Sequence, residues 1–281
     1  MITSRNRLDE LQRTLPVIYS LKPAPIEVLL TADGCTDDTV KYVKKTFPQV
    51  RLIENKKNIG SVASRANMMN MARGDIVLAL DDDSYPEQED FIEKLIELFE
   101  SNEKLAVATF PQRTDEYPET LSQTNFGKEH LIRSFANSGA GLRISTYRSL
   151  AGFEPMFFHM YEEPDYALQC VSSNWEVRYF PQLSIRHHWT KRERSERNNH
   201  HRHARNELWS TILRCPFPFC IVLIIYRIFT QAKFAASRGI SWLIHEPVWW
   251  LGALKGFPNV LKRRKPVLWT EYKRWLSLPD R

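Results

Sequence analysis

Short apolar runs alternate with helix-like segments over the first 110 residues of this chain. The runs that predict strands are Ile26–Thr31, Val50–Glu54, Ile76–Leu80 and Leu105–Phe110. The segments with apolar residues at helical spacing are Leu8–Leu15, Thr36–Phe47, Ser61–Ala72 and Phe91–Phe99. Continuous apolar runs of this length are typical of strands buried on both faces of a parallel sheet. Strands that alternate with helices predict right-handed βαβ units and an α/β fold.

Both ends of this region depart from the regular pattern. At the front, only Met1–Thr3 is available for an opening strand. After Phe110 the polar stretch Gln112–Gln123 predicts a loop. Further elements expected beyond it are a strand at Gly139–Ile144, a helix from Pro164 to about Ser173, a strand at Trp175–Phe180 and another near Leu183–Ile185.

Three consecutive carboxylates, Asp81, Asp82 and Asp83, directly follow the strand-like run Ile76–Leu80. The carboxyl ends of strands are where open α/β sheets bind their ligands. Three adjacent acids repel one another, which is costly unless a cation neutralises them. In an extended segment residues i and i+2 point to the same side, so Asp81 and Asp83 can converge on one Mg²⁺ or Mn²⁺. The alternative is a solvated acidic loop.

Charge divides the chain unevenly. The net charge is +6, but the residues from Arg186 onward hold 19 Lys and Arg against 6 Asp and Glu, whereas the first 185 hold 20 against 27. We expect an α/β domain at 1–190 and a helical, basic region at 191–281. An anionic diphosphate or lipid explains the basic region better than nucleic acid, because no nucleic-acid recognition motif is present.

The cysteines and the N-terminus indicate a cytoplasmic setting. None of the four cysteines forms a CxxC pair, so they are expected to be free thiols in a reducing compartment. The N-terminus shows no signal-peptide pattern.

The C-terminal region carries features that favour contact with the inner face of a membrane. Phe217–Phe229 is apolar but shorter than the about 20 residues of a spanning helix, and Arg227 interrupts it. It is therefore expected to be an interfacial or half-buried helix. The tryptophans at 242, 249 and 250 and the basic cluster Lys262–Lys265 suit lipid headgroups. The alternative, a helical subdomain that packs on the α/β domain, stays open.

Four segments occur in a characteristic order. They are Thr3–Arg7, Ala32–Asp37, Asn58–Gly60 with Arg65–Asn67, and Ala72–Asp75 leading to Asp81–Asp83. This arrangement resembles the family 2 glycosyltransferases over roughly residues 1–190. The resemblance implies the GT-A fold, a Rossmann-like, mostly parallel sheet with helices on both faces, here with a helical basic C-terminal appendage. It also implies a nucleotide-sugar donor of UDP, GDP or dTDP type and a DxD motif that binds a divalent metal.

The resemblance assigns donor-binding roles near the first strands. Asp33 would contact the nucleobase, although the family usually has a second acid where this chain has Ala32. Arg5 and Arg7 would face the diphosphate. The alternatives are an Asp-Gly turn at Asp33 and plain surface charges at the two arginines.

The helix that follows Asn58 and Gly60 is a second candidate for donor binding. Its first turn can present free N–H groups to an anion, and Arg65 can reach a phosphate or a sugar hydroxyl. The alternative is a capped surface helix with a solvated arginine.

The metal would lie with Asp81 and most firmly with Asp83, while Asp82 would point away, toward a ribose hydroxyl or a structural donor. The resemblance allows a histidine to complete the coordination, and His187 and His188 are both candidates because neutral imidazole suits Mn²⁺. Either histidine is alternatively a loop residue.

The segment Tyr161–Tyr166 resembles the acidic motif in which the family holds its catalytic base. The matching position is Glu163, where the family usually has Asp, and Asp165 is the second candidate. An acid at a helix N-terminus tends to be ionised and able to accept a proton. The alternative is a set of acids that simply favours a helix start.

The resulting hypothesis is an inverting transfer of a sugar from a nucleotide-diphosphate donor to an acceptor hydroxyl. The run Arg205–Trp209 resembles a segment of bacterial polysaccharide and rhamnosyl transferases. It implies a glycan or lipid-linked acceptor in cell-surface polysaccharide or glycolipid synthesis. The alternatives are an inactive GT-A scaffold and a nucleotidyltransferase, although the Gly-rich phosphate loop with a lysine that is typical of the latter is missing.

Overall fold

The computed structural model describes residues 1–190 and 195–280. The strands are β1 Ile2–Ser4, β2 Leu29–Asp33, β3 Arg51–Asn55, β4 Ile76–Asp81, β5 Ser84–Pro86, β6 Leu105–Thr109, β7 Gln112–Thr114, β8 His130–Leu131, β9 Ala140–Arg143, β10 Glu176–Tyr179 and β11 Ile185–His187. The helices are α1 Leu8–Ser20, α2 Thr39–Thr46, α3 Ser61–Met71, α4 Phe91–Ser101, α5 Ile144–Ser149, α6 Glu162–Ser172, α7 Glu196–Arg214, α8 Phe219–Ser237, α9 Ile240–Lys262 and α10 Trp269–Ser277.

The large sheet has the order β3-β2-β1-β4-β9-β6-β10-β8. Strands β3, β2, β1 and β4 are mutually parallel, whereas β9 is inserted antiparallel between β4 and β6. A second, smaller sheet has the order β5-β11-β7. The α/β fold with a mostly parallel sheet is thereby confirmed.

Two apolar layers cover the two faces of the sheet. Along β4, Val77 and Ala79 belong to one core cluster, while Leu80 belongs to the other. Since neighbouring residues of a strand point to opposite faces, β4 is buried on both sides. This explains why its sequence is a continuous apolar run.

Two predictions about chain segments need correction. Strand β2 begins at Leu29 rather than Ile26, whose side chain is 79% exposed. The polar stretch expected to be a loop contains β7 and a short 3₁₀ helix at Pro118–Leu121. Strand β7 forms because β11 pairs with it in parallel register, a long-range contact that local polarity does not reveal. The opening strand β1 is as short as expected and pairs with both β2 and β4.

The first C-terminal helix packs on the α/β domain. Trp209, Ile212 and Leu213 of α7 belong to the same core cluster as Tyr166 of α6. The division into 1–190 and 191–281 stays a prediction, and residues 191–194 lie outside the described residues. Within the described chain one helix, α8, is long and apolar enough to cross a membrane by length and composition, which is weak evidence alone.

Candidate functional site

Four strands bring the candidate residues to one edge. Asp33 and Asp81 close β2 and β4 at their carboxyl ends, and the segment after β1 leaves the sheet at the same edge. The smaller sheet adds the fourth strand, because β11 pairs with β5 so that His187 lies opposite Ser84. This register places His187 beside Asp83.

Asp81, Asp83 and His187 form a group whose candidate ligand atoms all lie within 4.8 Å of one another. His187 Nε2 lies 3.3 Å from Asp83 Oδ1. Two carboxylate oxygens and one imidazole nitrogen form a set of ligands that suits Mn²⁺. The same set can hold Mg²⁺, although Mg²⁺ prefers oxygen ligands to nitrogen. The residues present therefore fit a divalent metal.

The structure distinguishes the two histidine candidates. His188 Nε2 is hydrogen-bonded to the Tyr85 hydroxyl at 2.8 Å, and its Nδ1 lies 3.4 Å from Asp115 Oδ2. Both ring nitrogens of His188 thus face groups outside the acidic cluster. Of the two candidates, His187 is the one that lies in the group with Asp81 and Asp83. The metal role of either histidine stays a prediction.

The side chain of Arg7 contacts the acidic residues that follow β4. Its guanidinium pairs with Asp83, and its Nε lies 3.1 Å from Asp82 Oδ1 in a second ion pair. Burial raises the pKa of Asp82 to about 8, with Arg7 opposing the shift and the charge of Asp83 adding to it. The diphosphate contact of Arg7 stays a prediction. Asp82 does point away from the metal cluster, toward this arginine.

Arg65 is a buried link between two acidic segments. Its side chain is 4% exposed, pairs with Asp81 and lies 3.4 Å from Glu162 Oε1. Asn137 Nδ2 donates to the same Glu162 oxygen at 3.3 Å. Arg65 therefore ties β4 to the start of α6. Its contact with a donor phosphate or sugar hydroxyl stays a prediction.

The carboxylate of Asp33 is bound by hydrogen-bond donors from β3 and from the segment before α3. Its carboxylate accepts hydrogen bonds from Asn55 Nδ2 and from the N–H groups of Ile59 and Gly60, all at 2.9 Å. Asn58 Oδ1 also accepts from the Gly60 N–H. The N–H groups of Ile59 and Gly60 therefore have partners within the protein. The prediction that the first turn of α3, after Asn58 and Gly60, binds an anion stays a prediction. The nucleobase role of Asp33 remains a prediction.

The remaining donor candidate, Arg5, is exposed at the end of β1. Its position at the carboxyl edge leaves its predicted role unchanged.

Glu163 stands at the N-terminus of α6 and is partly exposed. The Asn137 backbone N–H lies 3.5 Å from its Oε1. Burial, and next the neighbouring charge of Glu162, raises the pKa of Glu163 to about 8, while Arg65 opposes the shift. A carboxylate with a pKa near the working pH is well suited to accept a proton. We keep Glu163 as the base candidate.

Asp165 is buried and bound within the protein. It is 1% exposed, and its oxygens accept hydrogen bonds from Ser210 Oγ at 2.7 Å, Gln169 Nε2 at 2.8 Å and both Arg214 Nε and Nη2. Its carboxylate joins α6 to α7, and its role as the second base candidate stays a prediction.

The turn before Glu163 has an unusual backbone. Phe158, Met160 and Tyr161 all have positive φ, which costs of order 1–3 kcal/mol for each non-Gly residue. Gly60, itself at φ +92, lies against this turn, and a Cβ there would be 2.2 Å from the Phe158 oxygen. Buried Asn206 of α7 donates to the carbonyls of Phe157, His159 and Met160 at 2.9, 2.9 and 2.8 Å.

Asn206 is thus a positioning residue that sequence reasoning missed. The run Arg205–Trp209 was a recognisable signal, but no local pattern shows that its asparagine points at a turn about 45 residues away. The same holds for Arg214, Glu162 and Asn137, which acquire their roles through contacts distant in sequence.

Replacing Asn206 by alanine is expected to lower the free energy of unfolding by about 2–3 kcal/mol, because buried carbonyls lose their donor. It should also lower kcat, since the turn that leads to Glu163 loses its support. Chemical denaturation and the rate of sugar transfer measure the two effects. Asn198→Ala is the matched control, because Asn198 is exposed on the same helix. Equal, small effects of both variants would remove the role assigned to Asn206.

The chain matches one protein-family model. The sequence model described as "Glycosyl transferase family 2" matches residues 1–161. This chain belongs to glycosyl transferase family 2. No curated protein matches it.

Solved glycosyltransferases share its GT-A fold. TarS 1-349 from S. aureus in complex with UDP-GlcNAc matches with a TM-score of 0.63 and 12% identity, over 92% of this chain and 80% of that one. The mannosyltransferase PcManGT from Pyrobaculum calidifontis, in complex with GDP-Man and Mn²⁺, matches with a TM-score of 0.60 and 15% identity, over 98% and 83%. GalNAc-T7 with UDP, GalNAc and Mn²⁺ matches with a TM-score of 0.62 and 12% identity; the match covers 77% of this chain but spans 47% of GalNAc-T7.

Proposed function

We propose that this family 2 member transfers a sugar from a nucleoside-diphosphate donor to an acceptor hydroxyl in a reaction that depends on Mn²⁺ or Mg²⁺. The observation that carries the proposal is the cluster of Asp81, Asp83 and His187 at the carboxyl edge of the sheet. The guanidinium of Arg65 reaches both Asp81 and Glu162, the residue next to the base candidate Glu163. This contact supports a single site for the metal candidates and the base candidate. Structural neighbours that hold Mn²⁺ with UDP or GDP-Man support the same reaction class.

Each acidic residue then has a distinct task. Asp81, Asp83 and His187 would hold the metal, which when bound would neutralise charge on the departing nucleoside diphosphate. Glu163 accepts the proton of the acceptor hydroxyl as that oxygen bonds to the anomeric carbon. The bond from the anomeric carbon to the phosphate oxygen breaks in the same step, and the configuration inverts. Glu162 and Arg65 hold the start of α6 next to the metal ligands.

A cavity of about 720 Å³ supports a glycan or lipid-linked acceptor. It lies between Met160 and Trp189 on the side of the α/β domain and Phe234, Arg238 and Trp242 on the C-terminal helices. Aromatic rings and a cation suit a sugar chain with an anionic head. We place the reaction in cell-surface polysaccharide or glycolipid synthesis, at the cytoplasmic face of the membrane.

A thermal-shift panel tests the proposal directly. We expect one nucleotide among UDP, GDP, dTDP and CDP to raise Tm in the presence of Mn²⁺ and to have little effect without it. Bound ligand stabilises the folded state by about 2.7 kcal/mol at a concentration of 100 Kd. If folded protein shows no shift with any of the four, the transferase proposal fails and an inactive scaffold is favoured. Metal-dependent binding without turnover of any donor would also point to the scaffold.

A further inference from the structure

Exposed apolar side chains are concentrated in the C-terminal helices. Among the described residues, 5 large hydrophobic side chains that are well exposed lie within 1–190, and 18 lie within 217–268. A monomeric soluble protein rarely exposes a contiguous apolar patch of this kind without a partner. The C-terminal helices therefore require an occupant for their outer surface.

The exposed positions form one face of each helix. On α8, Val222, Ile225 and Phe229 are 65–68% exposed and recur at i, i+3 and i+7. On α9, Ile244, Leu251 and Leu254 are each 67% exposed at i, i+7 and i+10. Residues at these spacings share a side of a helix. We call these six residues the outer apolar face.

The opposite sides of both helices pack against the protein. On α9 the buried residues are Glu246, Trp249, Ala253 and Val260, at i, i+3, i+7 and i+14. Glu246 accepts hydrogen bonds from Trp249 and is paired with His200 of α7 at 2.7 Å. The charged residue Glu246 of α9 therefore lies on the protein side of the helix, whereas the outer apolar face points away from the protein.

The segment that carries the outer apolar face has a strong positive charge. Residues 216–268 contain a single acid, the buried Glu246, against eight lysines and arginines. Two of these cations are paired with acids of the protein, Arg227 with Glu207 and Arg263 with Glu154. Lysine and arginine near a membrane surface contribute about 1 kcal/mol each toward binding anionic lipid. A large apolar area in a segment of net positive charge matches an anionic bilayer better than a second copy of a chain with the same positive charge.

Contacts with α7 show how the helices lie. Arg227, in the middle of α8, pairs with Glu207 of α7 at 2.9 Å, and Gln231 donates to the same carboxylate at 2.6 Å. Helix α8 is therefore held along its length by α7, and it offers a side rather than an end to a membrane. In α9, the buried Glu246 and Pro247 make a spanning arrangement unfavourable as well.

We propose that α8 and α9 form a monotopic docking surface that lies in the plane of an anionic bilayer, with the outer apolar face inserted among the acyl chains at the headgroup boundary. This placement makes the membrane setting of the proposed function specific, and it rests on surface features that are independent of the metal site.

Flotation of the purified full chain with vesicles tests this proposal. We expect it to float with phosphatidylcholine vesicles that contain about one third phosphatidylglycerol, less with phosphatidylcholine alone, and less at high salt. The double variant Ile225→Asp with Leu251→Asp should lose about tenfold or more of the bound fraction. Ile26→Asp is the control, because Ile26 is 79% exposed, at least as much as Ile225 and Leu251, and lies outside α8 and α9. It should leave flotation unchanged.

Three other results would overturn the proposal. The first is that the chain floats with neither kind of vesicle. The second is a stable dimer by light scattering that the double variant dissociates, since the face would then be covered by a second copy. The third is retention on vesicles after an alkaline carbonate wash, which indicates a spanning helix.

Circular dichroism and Tm establish that the variants are folded. The nucleotide thermal shift needs no lipid, so failure of the membrane proposal is distinguishable from failure of the proposed function.

Discussion

Replacing Asp83 by asparagine is expected to lower the rate of sugar transfer by about 10³-fold, because the site loses one of its two carboxylate ligands for the metal that neutralises the leaving group. Asparagine keeps the shape of the side chain, so the loss reports on charge rather than on packing. Asp83 is 1% exposed and also pairs with Arg7, which makes an isosteric change preferable to alanine. Steady-state kinetics and Mn²⁺ titration of nucleotide binding are the two measurements.

Asp115→Asn is the matched control for this variant. Asp115 pairs with Arg186 on the smaller sheet and lies next to His188, outside the group of metal candidates. It should retain near-normal transfer and the same Mn²⁺ dependence. If Asp83→Asn still binds nucleotide in a fully Mn²⁺-dependent manner, the assignment of the metal to this cluster is wrong.

Glu163→Gln is expected to reduce kcat by about 10²–10⁴-fold while leaving metal-dependent nucleotide binding intact, because only the proton acceptor is removed. Glu163→Asp restores a carboxylate one methylene shorter and should recover measurable transfer. An equal loss of nucleotide binding in Glu163→Gln would instead assign this residue to the donor site.

The pH profile offers an independent check on the same residue. Since the base must be ionised and its pKa is raised to about 8, kcat/KM should rise with pH and level off above about pH 8. Removing the carboxylate in Glu163→Gln should abolish this rise. A kcat/KM that stays constant between about pH 6 and 9, an interval that includes the raised pKa of Glu163, would exclude Glu163 as the base.

Stability has a predictable sign as well. A carboxyl whose pKa is raised on folding from 4.5 to about 8 makes the folded state lose stability as pH increases through that interval. Glu163→Gln removes this penalty. The variant should therefore gain Tm relative to the native chain at alkaline pH and show little difference near the lower end of the interval.

Local patterns predicted the elements of this fold well where burial alone selects the residue type. Strands β4 and β6 are buried on both faces, which demands continuous apolar residues, and both are legible as such. Helix α4 was equally clear from its apolar spacing. Strand β7 was not, because its three polar residues become a strand through pairing with β11.

The sequence offered the candidate residues of the site, but not their contacts. Asp81, Asp83 and Glu163 were proposed from their order along the chain and from the strand and helix ends they occupy. The choice of His187 over His188 required the register of β11 against β5. The partners of Arg7 and Arg65 required the approach of segments 76 and 97 residues apart, which no spacing rule encodes.

The C-terminal region shows the same division most clearly. Its apolar and basic composition is a property of the chain. Which side of α8 and α9 faces outward depends on where their polar residues find partners, and Glu207 and His200 of α7 supply them. Residue types are fixed by the chemistry each position must perform, whereas buried charges settle wherever the folded chain offers a counter-charge, so their contacts emerge only in three dimensions.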